Sequence, residues 1–571
     1  MSHKEAGAHG DSGKYGVYDL ADRLDRRRFM QIVGVGGLAG LAGCTGNGGS
    51  GGTATEGGGE ETETTAQATE ASSEIPKGGN LEVGWPRAPS NLIPVTGVGT
   101  EDYMLADWLY SKLVWIDKDL NLVPDLATDW EANEDASVWN FQLREGAKFN
   151  TLDKEVLAED VKAHLDAIQN PDYLPGAKGT LGPIDSVEIV NDYEVEITYT
   201  GPYSPAPSHL TARTGGIMPK EIIGEDHEQA AETDYGSGPF VVDEFDPGNS
   251  VSMSANPDYY LSDDAGTKLP YVDKLNAQAM PDAIQRLNAL NDGRIHINQN
   301  VSSSSFEQAK SMDNVNAVKG PGTRWYGVCM NSNKEPFDDN RVRDALKYAM
   351  DKRQQLNVAL NGMGSIARNH PITPSYKFHP DPPIETKYGP EAKPEKAKEK
   401  LAEAGYPDGI ELPTFMYSKQ SQDSSERFAQ LWKRNAANAG IEFEITNITE
   451  DRWLGEIWNS ERAWYWTSWA MKFPTQNMLT LSCTSDAPWN DHRFSNDEFD
   501  SLVQEASKTA DIDKRRDLYR DALSICHNNG GWIIPFYVSK LTAANKQVVN
   551  YRANPLGQYM FVERTGIKQS N

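Results

Sequence analysis

The sequence predicts a mixed α/β or α+β chain of two or three lobes, preceded by a long unfolded leader. Three observations lead there. Period-two apolar patterning marks strands in the first part of the folded region. Apolar stripes at helical spacing, each stopped by a glycine or a polar turn, dominate the later part. The folded length exceeds what one hydrophobic core supports.

The leader comes first. Arg26-Arg27-Arg28-Phe29-Met30 opens a short, glycine-rich apolar run that ends at Leu41-Ala42-Gly43-Cys44. A bilayer span needs about 20 apolar residues, and this run has the export-signal order instead: basic, apolar, then small. Arg26 and Arg27 before a phenylalanine resemble a twin-arginine signal, with Asp25 where Ser or Thr is usual. The Leu-Ala-Gly-Cys tetrapeptide resembles a lipobox, which makes Cys44 the expected lipidation site. Residues 45–77 are a Gly/Thr/Glu tether; the stretch to 74 has no aromatic side chain and cannot offset its ordering entropy. The expected location is the outer face of the cytoplasmic membrane, with lipid held through Cys44.

From Gly79 the texture changes. Asn80–Trp85 reads as a strand, Trp139–Arg144 as a half-buried strand, and Val187–Ile189 with Val195–Tyr199 as a hairpin around Asn191-Asp192. Helical stripes follow: Ile284, Leu287 and Asn291; Val342, Leu346, Ala349 and Met350; Ala397, Leu401 and Ala404; Phe428, Leu431, Trp432, Asn435 and Ala436; Phe499, Leu502, Val503 and Ala506; Leu518, Ala522 and Ile525. Trp532–Tyr537 reads as a short apolar strand.

Charge narrows the function. With 55 basic and 83 acidic residues the chain carries −28, which repels nucleic acid. That balance suits a halophile, because at molar salt the Debye length is about 3 Å and surface carboxylates barely repel; an ordinary acidic secreted protein is the alternative. Cys329, Cys483 and Cys526 allow at most one disulfide or remain buried thiols. No metal or cofactor is expected: His370, His379 and His492 form no ligand spacing, and no HExxH, phosphate loop or nucleophile elbow survives inspection. Asn300 and Asn447 sit in glycan-acceptor sequons.

The order of motifs then resembles a known family. Leu109–Leu113, Leu122–Ala127 with Trp130, Phe141–Phe149, Ala158–Val161, Gly236–Phe240, Asn256–Tyr260 and Leu269–Lys274 come in sequence. The densest block runs from Asn331 through Pro336-Phe337-Asp338-Asp339 and Arg341–Leu346 to Asp351, and Glu395–Tyr406 follows. Together they resemble the extracellular solute-binding proteins of family 5, the dipeptide/oligopeptide/nickel-binding class that serves ABC importers. The resemblance implies a two-lobed clamp with a domain inserted in the N-terminal lobe: lobe I from 78–111, 235–320 and 538–571, the insert 112–234, lobe II 321–537, and a hinge near 320 and 537. It also implies an ABC permease as partner, a small solute as cargo, and no catalysis. Arg341 and Arg343 are expected to form surface ion pairs, and Gly236 and Gly238 to permit a tight turn.

The ligand reading rests on Trp464–Pro474. Peptide-binding members place an aspartate shortly after a tryptophan there, whereas this chain has Ala470, Met471 and Lys472. The candidate contacts are Trp466, Trp469, Met471, Trp489, Asn490, Asp491 and Arg493. Tryptophan offers flat apolar area and one N–H, and Asp491 with Arg493 could hold a zwitterion or pair on the surface. For Trp466 and Trp469 the core is an equal alternative, and Trp464 is expected to be core. A peptide is the first ligand reading, an oligosaccharide the alternative, and an exported glycoside hydrolase the remaining one, since the spacing of paired carboxylates is not legible in sequence.

Overall fold

The computed structural model describes residues 75–96, 99–170, 177–223, 227–422, 424–470, 473–556 and 560–568. Arg26, Arg27 and Cys44, the tether through residue 74, and Met471 and Lys472 lie outside the described residues.

The chain forms a mixed α/β two-lobed clamp. Its backbone is an eleven-stranded sheet. Asn80–Trp85 lies parallel to Lys274–Ala279 on one side and to Ile297–Asn298 on the other. Its alternate residues Leu81, Val83 and Trp85 are at most 1% exposed, as the period-two pattern requires. Ser250–Ala255 and Phe240–Asp246 extend this side antiparallel. The other side is built from Trp464–Trp469, Phe415–Tyr417 and Ile445–Asn447.

Two long antiparallel strands, Val315–Met330 and Trp532–Asn545, join the sides. Their register breaks between Gly320 and Arg324. Before the break, the pair borders Ile297–Asn298 through Ala543 and Ala544; after it, Trp325–Met330 pairs with Trp464–Trp469. Glycine is required at the break for close approach. A Cβ on Gly322 would stand 2.1 Å from the Val538 carbonyl oxygen, and the Gly322 carbonyl accepts from Thr373 Oγ1 (2.9 Å) and Ser375 Oγ (3.0 Å).

Separately, Ala127–Ala132, Val138–Leu143, Glu194–Tyr199 and Ile184–Asn191 make a four-stranded antiparallel sheet backed by Ala158–Gln169. Its core residues Phe141, Val195 and Ile197 are continuous with Leu81, Val83 and Trp108. A second core gathers Trp325, Trp464, Trp466 and Trp532 with the later helices. Those helices are well capped: Asp339 accepts from the Arg341 amide to start Asn340–Ala349, and Asp351 from the Gln354 amide to start Lys352–Leu360.

Five expectations need correction or completion. The terminal strand runs on to Asn545: residues 538–540 are half-buried, 541–545 are buried again, and 540–545 pair with 315–320. Ile284 is 58% exposed and lies off the buried face of its helix. Gly236 and Gly238 also serve backbone approach: the Gly236 amide donates to Asp234 Oδ1 at 2.8 Å in a local turn, a Cβ on Gly236 would be 1.8 Å from the Leu109 oxygen, and the Gly238 amide donates to that oxygen at 2.8 Å. Arg341 does pair with Asp339 (2.6 Å) at the surface, but Arg343 is buried and donates to the carbonyls of Phe337 and Asn529. Cys329, Cys483 and Cys526 are all buried free thiols.

Gly322→Ala is expected to destabilise the fold by about 1–3 kcal/mol, since a methyl group there meets backbone that cannot move aside. A lowered midpoint in urea unfolding checks this.

Candidate functional site

Trp464–Trp469 is buried on both faces, and its two faces differ in chemistry. On one, Trp464 packs against Phe337, Phe415 and Phe443, and Trp466 against Tyr326 and Trp453. On the other, Tyr465, Thr467 and Trp469 all turn toward Asp491. The Thr467 hydroxyl (3.0 Å) and Trp469 Nε1 (3.3 Å) donate to Asp491 Oδ2. Trp532 Nε1 donates to Oδ1 at 2.9 Å, and the Tyr465 hydroxyl donates to the Asp491 carbonyl. Strand periodicity therefore aims three consecutive odd-numbered side chains at one residue.

Asp491 is fully buried, and burial raises its carboxyl to about 6 while the three donors pull the other way. Beside it, His492 stacks on Trp532 with ring centroids 3.9 Å apart, and burial lowers its imidazole to about 3. This carboxylate fixes the orientation of two indoles. It offers nothing to a solute, because its oxygens are already engaged.

Several expected ligand contacts are thus structural. Trp466 is 0% exposed and belongs to the core. Asn490 ties its own loop, donating to the Thr484 and Phe494 carbonyls and accepting from the Phe494 amide. Arg493 fastens the 459–460 turn, donating to Asn459 Oδ1 (2.6 Å) and the Asn459 carbonyl (3.0 Å) and leaning on Glu461. Asp491 and Arg493 form neither a zwitterion receptor nor a surface pair, since each is saturated by its own surroundings.

Trp469 and Trp489 remain, joined by Trp458, which sequence reasoning missed. Their ring centroids are 5.9 Å (458–469), 6.3 Å (458–489) and 6.2 Å (469–489) apart. Trp458 and Trp489 are half-buried, and Trp469 is 4% exposed. The signal for Trp458 was weak, since it follows Trp453, Leu454 and Ile457 in a short apolar run with no clear period.

This aromatic face adjoins the boundary between the two halves. Four residues beyond Trp469, Phe473 packs with Ile116, Leu120 and Trp115 of the first half. Farther along, the Ser204 amide and hydroxyl donate to the Ser507 carbonyl (2.8 and 2.9 Å), and Arg515 Nη1 donates to the Ser204 hydroxyl (2.8 Å). Arg515 also sits over Phe378, which packs on Tyr519. Among the described residues no group of three or more His, Cys, Asp or Glu could hold a metal.

Fold and boundary together define a binding protein of the clamp class. Residues 121–491 match the family model "Bacterial extracellular solute-binding proteins, family 5 Middle". The chain belongs to that family, whose members are transport components rather than enzymes. It is 27% identical over 482 residues to the dipeptide-binding protein of Escherichia coli (strain K12), covering 79% of this chain and 88% of the relative. It is 26% identical over 510 residues to heme-binding protein A of Haemophilus influenzae, covering 83% and 90%. Its fold matches HbpA2 from Haemophilus parasuis with a TM-score of 0.75 at 23% identity, over 86% of this chain and 100% of that one. DppA from Helicobacter pylori in complex with the peptide STSA aligns with a TM-score of 0.68 at 22% identity, covering 86% and 99%.

The sign of one pH effect follows from Asp491. Its folded-state affinity for a proton exceeds that of an unfolded carboxyl, so its contribution to stability is complete below about pH 4 and is lost as pH rises through 6. At about 1.4 kcal/mol per unit the loss is about 3 kcal/mol. Asp491→Asn is expected to remove this slope. It is also expected to cost about 1–3 kcal/mol, because its carboxamide N–H confronts indole N–H donors. Urea unfolding of both proteins from pH 4 to 7 measures each effect.

Proposed function

We infer that this chain captures a small solute, a peptide in the first instance, between its two halves and delivers it chemically unchanged to an ABC permease. Lobe I would comprise 78–111, 235–320 and 538–571, the insert 112–234, and lobe II 321–537. The observation that carries the reading is the pair of strands shared by both sides of the sheet and broken at Gly320–Arg324. A clamp so connected can change the angle between its halves at the break, while the apolar packing around Val315 and Leu541 holds the crossing strands in place. Solute contacts made only when the halves approach would shift the population toward the closed form.

Trp469 and Trp489, with Trp458 behind them, would supply the apolar wall, and Met471 the adjoining contact. Peptide cargo is supported by the relatives named for dipeptides and by the peptide complex of the related fold. An oligosaccharide is the second reading, favoured by the three clustered indoles, whose faces suit sugar rings. The Arg26-Arg27 signal and Cys44 would export the chain and hold it by lipid on the outer membrane face, and the −28 charge suits a halophile's salt.

A thermal-shift screen at high salt with peptides, oligosaccharides and metal chelates tests the cargo. Peptides are expected to raise the melting temperature saturably, to quench tryptophan fluorescence and to be recovered intact, with Trp489→Ala weakening them about tenfold or more. Turnover of any solute, or a response to sugars alone, would defeat the peptide reading. Cys44→Ser is expected to move the chain from the membrane fraction to the medium, as read by immunoblot.

A further inference from the structure

We propose that the crossing strands carry a receptor for an anionic group of the solute, a carboxylate, formed by Arg324 and Lys540. It rests on the clamp reading above and adds the chemistry of the cargo.

The register places the two cations together. Lys540 pairs with Gly320 and Arg324 with Val538. Residues 538 and 540 share a face of their strand, so Arg324 and Lys540 are diagonal neighbours, roughly 7–8 Å apart at the backbone. Both are half-buried. They stand at the break in the strands that join the two sides of the sheet.

Neither is neutralised. Among the described residues no carboxylate lies within ion-pair distance of Arg324 or Lys540, whereas Arg87, Arg341 and Lys387 each have one. The nearest acid facing Lys540 is Glu101, at the start of Thr100–Leu109, and it is already paired with Arg87 at 3.2 Å. The Lys540 ammonium donates to Asn300 Oδ1 at 2.9 Å and keeps two N–H groups over. Arg324 donates no side-chain hydrogen bond among the described residues, leaving its planar fork of five donors open. Surrounding protein and the Arg324 charge lower the Lys540 ammonium to about 8. Two adjacent cations hemmed in by protein repel each other, and an anion between them removes that penalty. A guanidinium fork beside an ammonium suits a carboxylate well.

The chain's overall −28 repels anions in general, so these two groups would act as a local gate rather than as part of a basic surface. The sequence Ala470-Met471-Lys472, which holds no acid, fits the same logic: a cargo recognised by its negative end needs no carboxylate for a positive one.

The carboxylate could come from a peptide's C-terminus or from an acidic sugar, and the test separates them. Wild type, Arg324→Gln, Lys540→Gln and Arg324→Lys are screened by thermal shift and calorimetry. The probes are a random tripeptide library as free acids, the same library amidated, a uronic-acid disaccharide and its neutral counterpart. The expected result is that one carboxylate-bearing series binds wild type at least tenfold more tightly than its neutral partner. Both Gln variants, with unchanged melting in the absence of solute, lose that preference, and Arg324→Lys keeps most of it. Equal binding of acid and neutral forms, or a preference that persists in both Gln variants, overturns the carboxylate receptor and leaves the clamp reading standing. A protein that no series shifts overturns both.

Discussion

The architecture depends on one constraint: two strands, Val315–Met330 and Trp532–Asn545, must serve two sheets' worth of neighbours at once. Backbone hydrogen bonding is compulsory for buried strands, so neither side can detach without orphaning donors on the other. The break at Gly320–Arg324 is one of two places where that continuity is relaxed, the other lying between Tyr326 and Val328, and it is tied down by Thr373 and Ser375 rather than left loose. Away from the break, packing is carried by two large cores, and one of them runs from Leu287, Phe306 and Val315 through the crossing strands to Trp464 and the later helices.

Within the second half, rigidity has a polar source. A fully buried carboxylate is costly unless paired or hydrogen-bonded, and Asp491 meets that cost with a hydroxyl and two indole N–H groups. The return is orientation. Trp469 is held with its N–H inward, and Trp489 and Trp458 pack against it with tilted rings. If these indoles wall the solute site as proposed, side chains whose angles are already set by a buried network would lose little freedom on binding.

Much of this was legible in sequence because it obeys local periodicity. The helix starting after Asp338-Asp339, the 187–199 hairpin and the first strand are set by capping, turn residues and alternation, all readable within a dozen positions. The order of short motifs added the clamp, now supported by the family match over 121–491. The site was less legible. Asp491 and Arg493 look like a ligand's acid and base in sequence, but what they touch is decided by residues 22 to 41 positions away. Trp466 and Trp469 differ only in which face of one strand they occupy, and that depends on which neighbours cover it. The terminal strand beyond Tyr537 escaped notice because its pairing partner, not its composition, makes it a strand.

The three buried thiols have a further consequence. Cys329, Cys483 and Cys526 are unbonded and sealed from solvent, so no oxidant is needed to finish this fold. Among the described residues the fold makes no demand on a disulfide-forming enzyme, and it can be completed wherever thiols stay reduced.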